Sequence, residues 1–218
     1  MAFTEEDLKN IADQLRCPSG EMGMEVANNM NVNNAPMIQT TIRHMDVADG
    51  EHILELGPGN GRHITDLLKE RSNVLYTALD ISEDMVATAA ALVNSFKARF
   101  VHYDGTHIPL EESTFDKVFS VNTIYFWEKP DVLLGEIKSV LKPGGSLYLT
   151  FADGVFMKNN LPFTKYGFTF YSLTDVVTLL TQNGFQVITH VEDADNVSRN
   201  SNEVLMRPYF LVIAKSTN

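Results

Sequence analysis

The sequence predicts an α/β domain built on a mostly parallel sheet. Two observations carry this. From Glu51 onward, short apolar runs of strand length alternate with longer amphipathic runs, the form taken by a sheet with helices on both faces. The first of these runs ends in a glycine-rich loop that leads into a helix, as the first crossover of an open α/β sheet does. Seven strands fit, at 51–56, 73–79, 97–103, 115–121, 145–151, 185–192 and 203–214, with helices at about 62–71, 82–95, 130–141 and 173–183. No helical stretch separates the last two strands, so they are expected to pair antiparallel.

Local chemistry justifies each element in turn. Thr4 with Asp7 three residues on suits a helix start, and Leu8, Ile11, Ala12 and Leu15 recur at helical spacing. Cys17-Pro18-Ser19-Gly20 breaks that helix. A second helical stretch follows, interrupted by a run in which Asn28, Asn29, Asn31, Asn33 and Asn34 fill five of seven positions. Ser82 suits a cap, Pro130 a helix start, and Lys142-Pro143-Gly144-Gly145 a turn from helix into strand. Residues 1–45 thus read as a helical cap on a single domain spanning 46–218.

Composition excludes several classes. The 218 residues carry 17 Lys and Arg against 28 Asp and Glu, a net charge of -11. Nucleic-acid binding draws much of its affinity from cations, so a nucleic-acid partner is not expected. Cys17 is the single cysteine, which rules out an internal disulfide or a multi-cysteine metal site, and no metal is expected. The longest apolar run, Tyr209 to Ala214, is far short of a membrane span. The N-terminal ten residues lack a signal-peptide core. A cytoplasmic monomer or homodimer is the expectation.

The most informative stretch is Glu55-Leu56-Gly57-Pro58-Gly59-Asn60-Gly61. A glycine loop alone is also the form of a plain strand-to-helix turn. Here the spacing is Gly-x-Gly-x-Gly and not that of dinucleotide-binding loops. Pro58 removes a donor that a pyrophosphate could use, and the charge of Glu55 would repel one. A cationic or zwitterionic ligand suits the loop better. Asp80 follows Gly59 by 21 residues, at the end of the second strand, where a carboxylate can accept bonds from ribose hydroxyls. Asp104-Gly105 ends the third strand, where an acid can accept from an adenine amino group and a glycine lets the base approach; a plain turn is the other reading.

In this order the motifs resemble the class I S-adenosylmethionine-dependent methyltransferases, over roughly residues 45 to 215. Glu55 to Gly61 resembles the family's first motif. Asp80 with Ile81, Asp104-Gly105, and Phe115 to Val121 leading to Asn122 resemble the next three. Leu141 to Gly145 resembles the turn into the fifth strand, and Leu179 to Phe185 the lead into the sixth. The resemblance implies a Rossmann-like three-layer α/β/α sandwich with a seven-stranded sheet whose last strand is antiparallel. It implies S-adenosylmethionine as cofactor and S-adenosylhomocysteine as product. Glu55, Gly57, Gly59 and Gly61 are then set against the methionine part, Asp80 against the ribose and Asp104 against the adenine. Ile81, Gly105 and Asn122 complete the cofactor set. Pro18 to Asn34 resembles a family cap that closes over the cofactor.

Methyl transfer needs an acceptor held in line with the methyl group, and a base only if the acceptor carries a proton. His63, His102, His107, Tyr125 and Asp153 are base candidates, and none is singled out. For the acceptor, Tyr125 and Trp127 follow the fourth strand. Residues 151–171 read as a long loop holding seven aromatic residues, Phe156 and Tyr166 among them. These four point to a small, partly apolar or aromatic acceptor. Three other functions stay open: a catalytically silent S-adenosylmethionine-binding partner or sensor, a nicotinamide-dependent oxidoreductase, against which Glu55 and Pro58 count, and a protein methyltransferase, although nothing in the sequence suggests an extended peptide groove.

Overall fold

The computed structural model describes residues 3–69, 73–93, 95, 97–200 and 203–217. Three helices open the chain, α1 at Glu5–Arg16, α2 at Gly20–Asn33 and α3 at Ala35–Met45. The sheet region follows as β1 (His52–Leu56), α4 (Ile64–Lys69), β2 (Leu75–Asp80), α5 (Glu83–Val93), β3 (Ala98–His102), β4 (Phe115–Val121), α6 (Pro130–Val140) and β5 (Leu141–Ala152). After β5 come α7 (Gly154–Asn160), α8 (Leu173–Gln182), β6 (Phe185–Asn200) and β7 (Glu203–Ser216). The strands lie in the order β3-β2-β1-β4-β5-β7-β6. Pairing is parallel from β3 through β5, and β7 runs antiparallel to both β5 and β6. This is the predicted seven-stranded sandwich.

The layers follow from the period-two alternation of strand side chains. Leu54, Leu56, Val118, Leu147 and Leu149 point to one face, against Leu133, Leu134 and Ile137 of α6 and Val176 and Leu180 of α8. Ile53, Tyr76, Phe119 and Tyr148 point to the other, against Met37 and Met45 of α3 and Ile64 and Leu67 of α4. Helix starts match their sequence signals. Thr4 and Asp7 form a reciprocal capping box on α1, as Ser172 and Asp175 do on α8. Ser82 Oγ accepts the Met85 N–H at the start of α5.

Four expectations change. The asparagine run does not interrupt α2, which continues to Asn33 and breaks only at Asn34. Helix α3, which the sequence places in the 1–45 cap, lies on the sheet instead. Its Thr41 hydroxyl meets that of Thr150 at 2.6 Å, and its Thr40 hydroxyl meets that of Tyr209 at 3.0 Å. The cap proper is therefore α1 and α2. Residues 151–171 are no simple loop, since α7 and a 3-10 turn at Pro162–Lys165 occupy much of them. Strand β6 continues to Asn200, eight residues beyond its expected end, because Asp195 and Arg207 face each other across the hairpin and bind. The last residues of the helix expected at 62–71, and Asn94 of that expected at 82–95, lie outside the described residues.

Candidate active site

A cavity of about 300 Å³ opens at the carboxyl ends of β1 to β5, beneath α1 and α2. This is where an open α/β sheet binds ligands, since the crossovers diverge there. Its floor is the loop after β1. Gly57 adopts φ +76°, and an added Cβ would lie 2.5 Å from Thr123 Cγ2, so the backbone packs there without a side chain. Gly57, Pro58, Gly59 and Asn60 line the cavity. Gly61 does not; it lets the loop close on α5, where a Cβ would meet that of Ala89 at 2.9 Å.

Two carboxylates define the polar half. Glu55 is 2% exposed, yet lines the cavity. Its Oε2 accepts from the Tyr76 hydroxyl and meets His63 Nε2 at 2.9 Å, which leaves Oε1 without a protein donor among the described residues. Burial and the Glu55 charge push the Tyr76 phenol well up, so it stays a donor. Asp80 is 6% exposed and accepts the N–H of Gly59 at 3.1 Å and of Ser82 at 2.9 Å. Burial pushes its pKa up to about 6, against the pull of those two bonds.

Ile81 and Gly105 form the next wall, where a Cβ on Gly105 would approach Ile81 Cγ2 to 3.2 Å. Tyr103, which the sequence did not single out, is buried beside them and lines the cavity. Asp104 also lines it, but both of its oxygens are engaged within the loop. Oδ1 accepts the N–H of Thr106 and of His107, each at 2.7 Å, and Oδ2 meets His107 Nδ1 at 2.8 Å. These bonds, that to the His107 ring foremost, hold the carboxyl far below the usual range and raise the His107 imidazole.

Asn122 sits at the end of β4 with φ +59°, a left-handed conformation that asparagine tolerates better than most residues. Its Oδ1 accepts from the Tyr125 hydroxyl at 2.8 Å, and its Nδ2 donates to Asn34 Oδ1 at 2.8 Å. The asparagine run thereby acquires a role. Asn31 donates to Asn60 Oδ1 at 2.9 Å and Asn60 donates to Asn28 Oδ1 at 3.2 Å, tying α2 to the glycine loop. Asn33 and Asn34 receive Arg207, through the Asn33 carbonyl at 2.6 Å and Asn34 Oδ1 at 3.4 Å. Short amides reach from helix to loop where longer side chains would fill the cavity.

The other end of the cavity is aromatic. Tyr125, Phe126, Trp127, Phe163 and Phe168 line it. Phe168 stands at the centre, with ring centroids 4.5 Å from Phe126, 5.9 Å from Tyr125 and 6.0 Å from Phe163. Trp127 donates to Thr123 Oγ1 at 3.0 Å. Phe156 and Tyr166 are not among the lining residues. Phe156 packs against the core from α7, and Tyr166 faces Glu5, Lys9 and Asp13 of α1. The aromatic count of 151–171 could not tell which rings turn inward. Arg207 and Val197, from the β6–β7 hairpin, line the cavity and were missed because their stretch reads as a polar surface.

Among the described lining residues no free base stands out. His63 is bonded to Glu55, and the buried Tyr125 hydroxyl lies between Asn122 and the Ala152 N–H. His102, His107 and Asp153 are not among the lining residues; His107 is bonded to Asp104, and Asp153 caps α7 through the Phe156 N–H at 2.7 Å.

The donor set fits an adenosyl group bearing an amino acid. Asp80 and Glu55 line the cavity as acceptors, suited to hydroxyls and an ammonium, whereas two carboxylates and Pro58 oppose a pyrophosphate. Comparisons with known proteins agree. A family model described as methyltransferase domain matches residues 54–149. The uncharacterized methyltransferase YdaC of Bacillus subtilis is 33% identical over 121 residues, 56% of this chain and 67% of that protein. The fatty-acid O-methyltransferase of Mycolicibacterium smegmatis is 28% identical over 134 residues, 61% of this chain and 48% of that protein. The chain thus spans about two thirds of the first relative's length and half of the second's. Haemonchus contortus phosphoethanolamine N-methyltransferase 2, solved with phosphomonomethylethanolamine and S-adenosylhomocysteine, shares the fold. Its TM-score is 0.71 at 14% identity, over 97% of this chain and 60% of that one. Sheet order, glycine loop and relatives converge, and the chain belongs to the class I S-adenosylmethionine-dependent methyltransferases.

Proposed function

We propose that the protein transfers a methyl group from S-adenosylmethionine to a small, partly apolar or aromatic acceptor, chiefly by positioning. The observation that carries this is the division of one cavity into a carboxylate half, Glu55 and Asp80, and an aromatic half around Phe168. Bound there, the cofactor supplies an electrophilic methyl group. Asp80 accepts its ribose hydroxyls, Glu55 its ammonium, and Gly57 and Gly59 bring the backbone close. Ile81, Tyr103 and Gly105 flank the adenine, with Asp104 at its edge once it shares its bonds with His107. Tyr125, Phe126, Trp127 and Phe168 hold the acceptor, and α1 and α2 exclude water.

The curated relatives act on varied acceptors, by name a fatty acid, demethylmenaquinone and tRNA U34 among them. The net charge of -11 favours a small molecule over RNA here. The absence of a free base among the described lining residues favours, as a second reading, a protein that binds the cofactor without turnover.

Calorimetric titration with S-adenosylmethionine, S-adenosylhomocysteine and NAD in parallel, followed by turnover on aromatic and apolar acceptors, tests this. The expected result is binding of the first two, no binding of NAD, and methylation of at least one acceptor. Cofactor binding with no turnover across the panel would favour the silent reading. Binding of NAD alone would overturn both.

A further inference from the structure

The β6–β7 hairpin places a charged group in the cavity wall near its aromatic end. Arg207 is 7% exposed and makes a two-pronged pair with Asp195, Nε to Oδ1 at 2.9 Å and Nη2 to Oδ2 at 2.7 Å. Nη2 also donates to the Asn33 carbonyl. Among the described residues Nη1, by contrast, has only the 3.4 Å contact to Asn34 Oδ1. Arg207 lines the cavity and Asp195 is not among the lining residues, so the pair turns its positive end inward. A guanidinium held in this way is preorganised to donate to an oxyanion, and its remaining N–H groups lose little freedom in doing so.

Asn34 Oδ1 is shared by Arg207 and Asn122, which places the guanidinium beside the end of β4 and the Tyr125 hydroxyl. The aromatic wall begins at that point. A ligand can therefore lay an apolar body against Phe126 and Phe168 while its polar end reaches Arg207.

We infer that the acceptor is an organic carboxylate with an apolar or aromatic body, its carboxylate held by Arg207. The inference rests on the methyltransferase reading above and accounts for the lack of a free base among the described lining residues. A carboxylate is already deprotonated at neutral pH. One of its oxygens forms the new C–O bond as the C–S bond of the sulfonium breaks, with that electron pair remaining on sulfur. The products are a methyl ester and a neutral thioether. No proton is released, so no base is required.

The test uses the S-adenosylhomocysteine-loaded protein and two probes of matched shape, 3-phenylpropionate and 3-phenylpropanol, with binding followed by saturation-transfer NMR and calorimetry. The expected result is that the carboxylate binds at least about tenfold tighter than the alcohol. In Arg207→Met/Asp195→Leu, which removes both charges together and so strands neither, that ratio should fall to about one while S-adenosylhomocysteine affinity stays within about twofold. Equal or tighter binding of the alcohol to the wild type overturns the inference, as does no binding of the carboxylate or a ratio that persists in a folded double variant. Failure of the wild type to bind S-adenosylhomocysteine would overturn the function beneath it, and the inference with it.

Discussion

The hydroxyl of Tyr76, buried in β2, donates to Oε2 of Glu55 on the neighbouring strand β1, beneath the glycine loop. Adjacent parallel strands bring the two side chains to the same face, and His63 closes on the same oxygen from the helix side of the loop. The carboxylate is thereby held at the cavity wall through one oxygen, Oε2. In the proposed function Glu55 receives the cofactor's ammonium, and Tyr76 would then act as a positioning residue for it.

Tyr76→Phe removes that donor with little change in volume. S-adenosylmethionine and S-adenosylhomocysteine should bind about tenfold more weakly, the worth of one hydrogen bond to a charged group. Methylthioadenosine, which lacks the amino acid, should bind as before. A merely structural effect would weaken all three ligands alike, and parallel calorimetric titrations separate the outcomes.

Asp80 sets a pH dependence of opposite sign for folding and for binding. Its folded pKa, about 6, lies above the usual carboxylate value. The folded chain therefore holds the proton more firmly, and Asp80 adds most stability below about pH 4, losing it as pH rises through 6, by at most about 3 kcal/mol. Cofactor affinity runs the other way, since ribose hydroxyls favour the charged form; dissociation constants should rise about tenfold between pH 7 and pH 5. Asp80→Asn should bind weakly at both pH values and lack this contribution to the stability profile. Calorimetry and thermal unfolding of both proteins at pH 7 and pH 5 check the signs.

Gly57→Ala should destabilise the fold by about 2–4 kcal/mol, from the positive φ and the 2.5 Å approach to Thr123 Cγ2. Thr123 cannot turn aside freely, because its Oγ1 meets Ser120 Oγ at 2.5 Å and accepts from Trp127 Nε1. Gly59→Ala, with nothing within 4 Å of the added carbon, should cost about 1 kcal/mol. Thr123→Ser removes the clashing methyl and should restore part of the loss. Melting temperatures of Gly57→Ala, Gly59→Ala, Thr123→Ser and the double variant Gly57→Ala/Thr123→Ser decide it.

The sequence by itself determined the sheet, its direction and the chemistry of its edge. Strand runs, capping residues and glycine turns are local signals, so β4 appears at Phe115–Val121 as expected and α8 within one residue of 173–183. The acids at strand ends were legible for the same reason, since strand length and pairing alone bring Glu55 and Asp80 to one edge. What tertiary structure decided was which side chains turn inward. Of the aromatic residues after β5, Phe163 and Phe168 face the cavity while Phe156 and Tyr166 do not, because the turn of α7 and the docking of α1 set each ring's direction. Arg207 and Asp195 lie 12 residues apart in a stretch that reads as solvated hairpin. Only cross-strand register and the cover of α2 bury them together, and such long-range packing leaves no periodic trace in a single sequence.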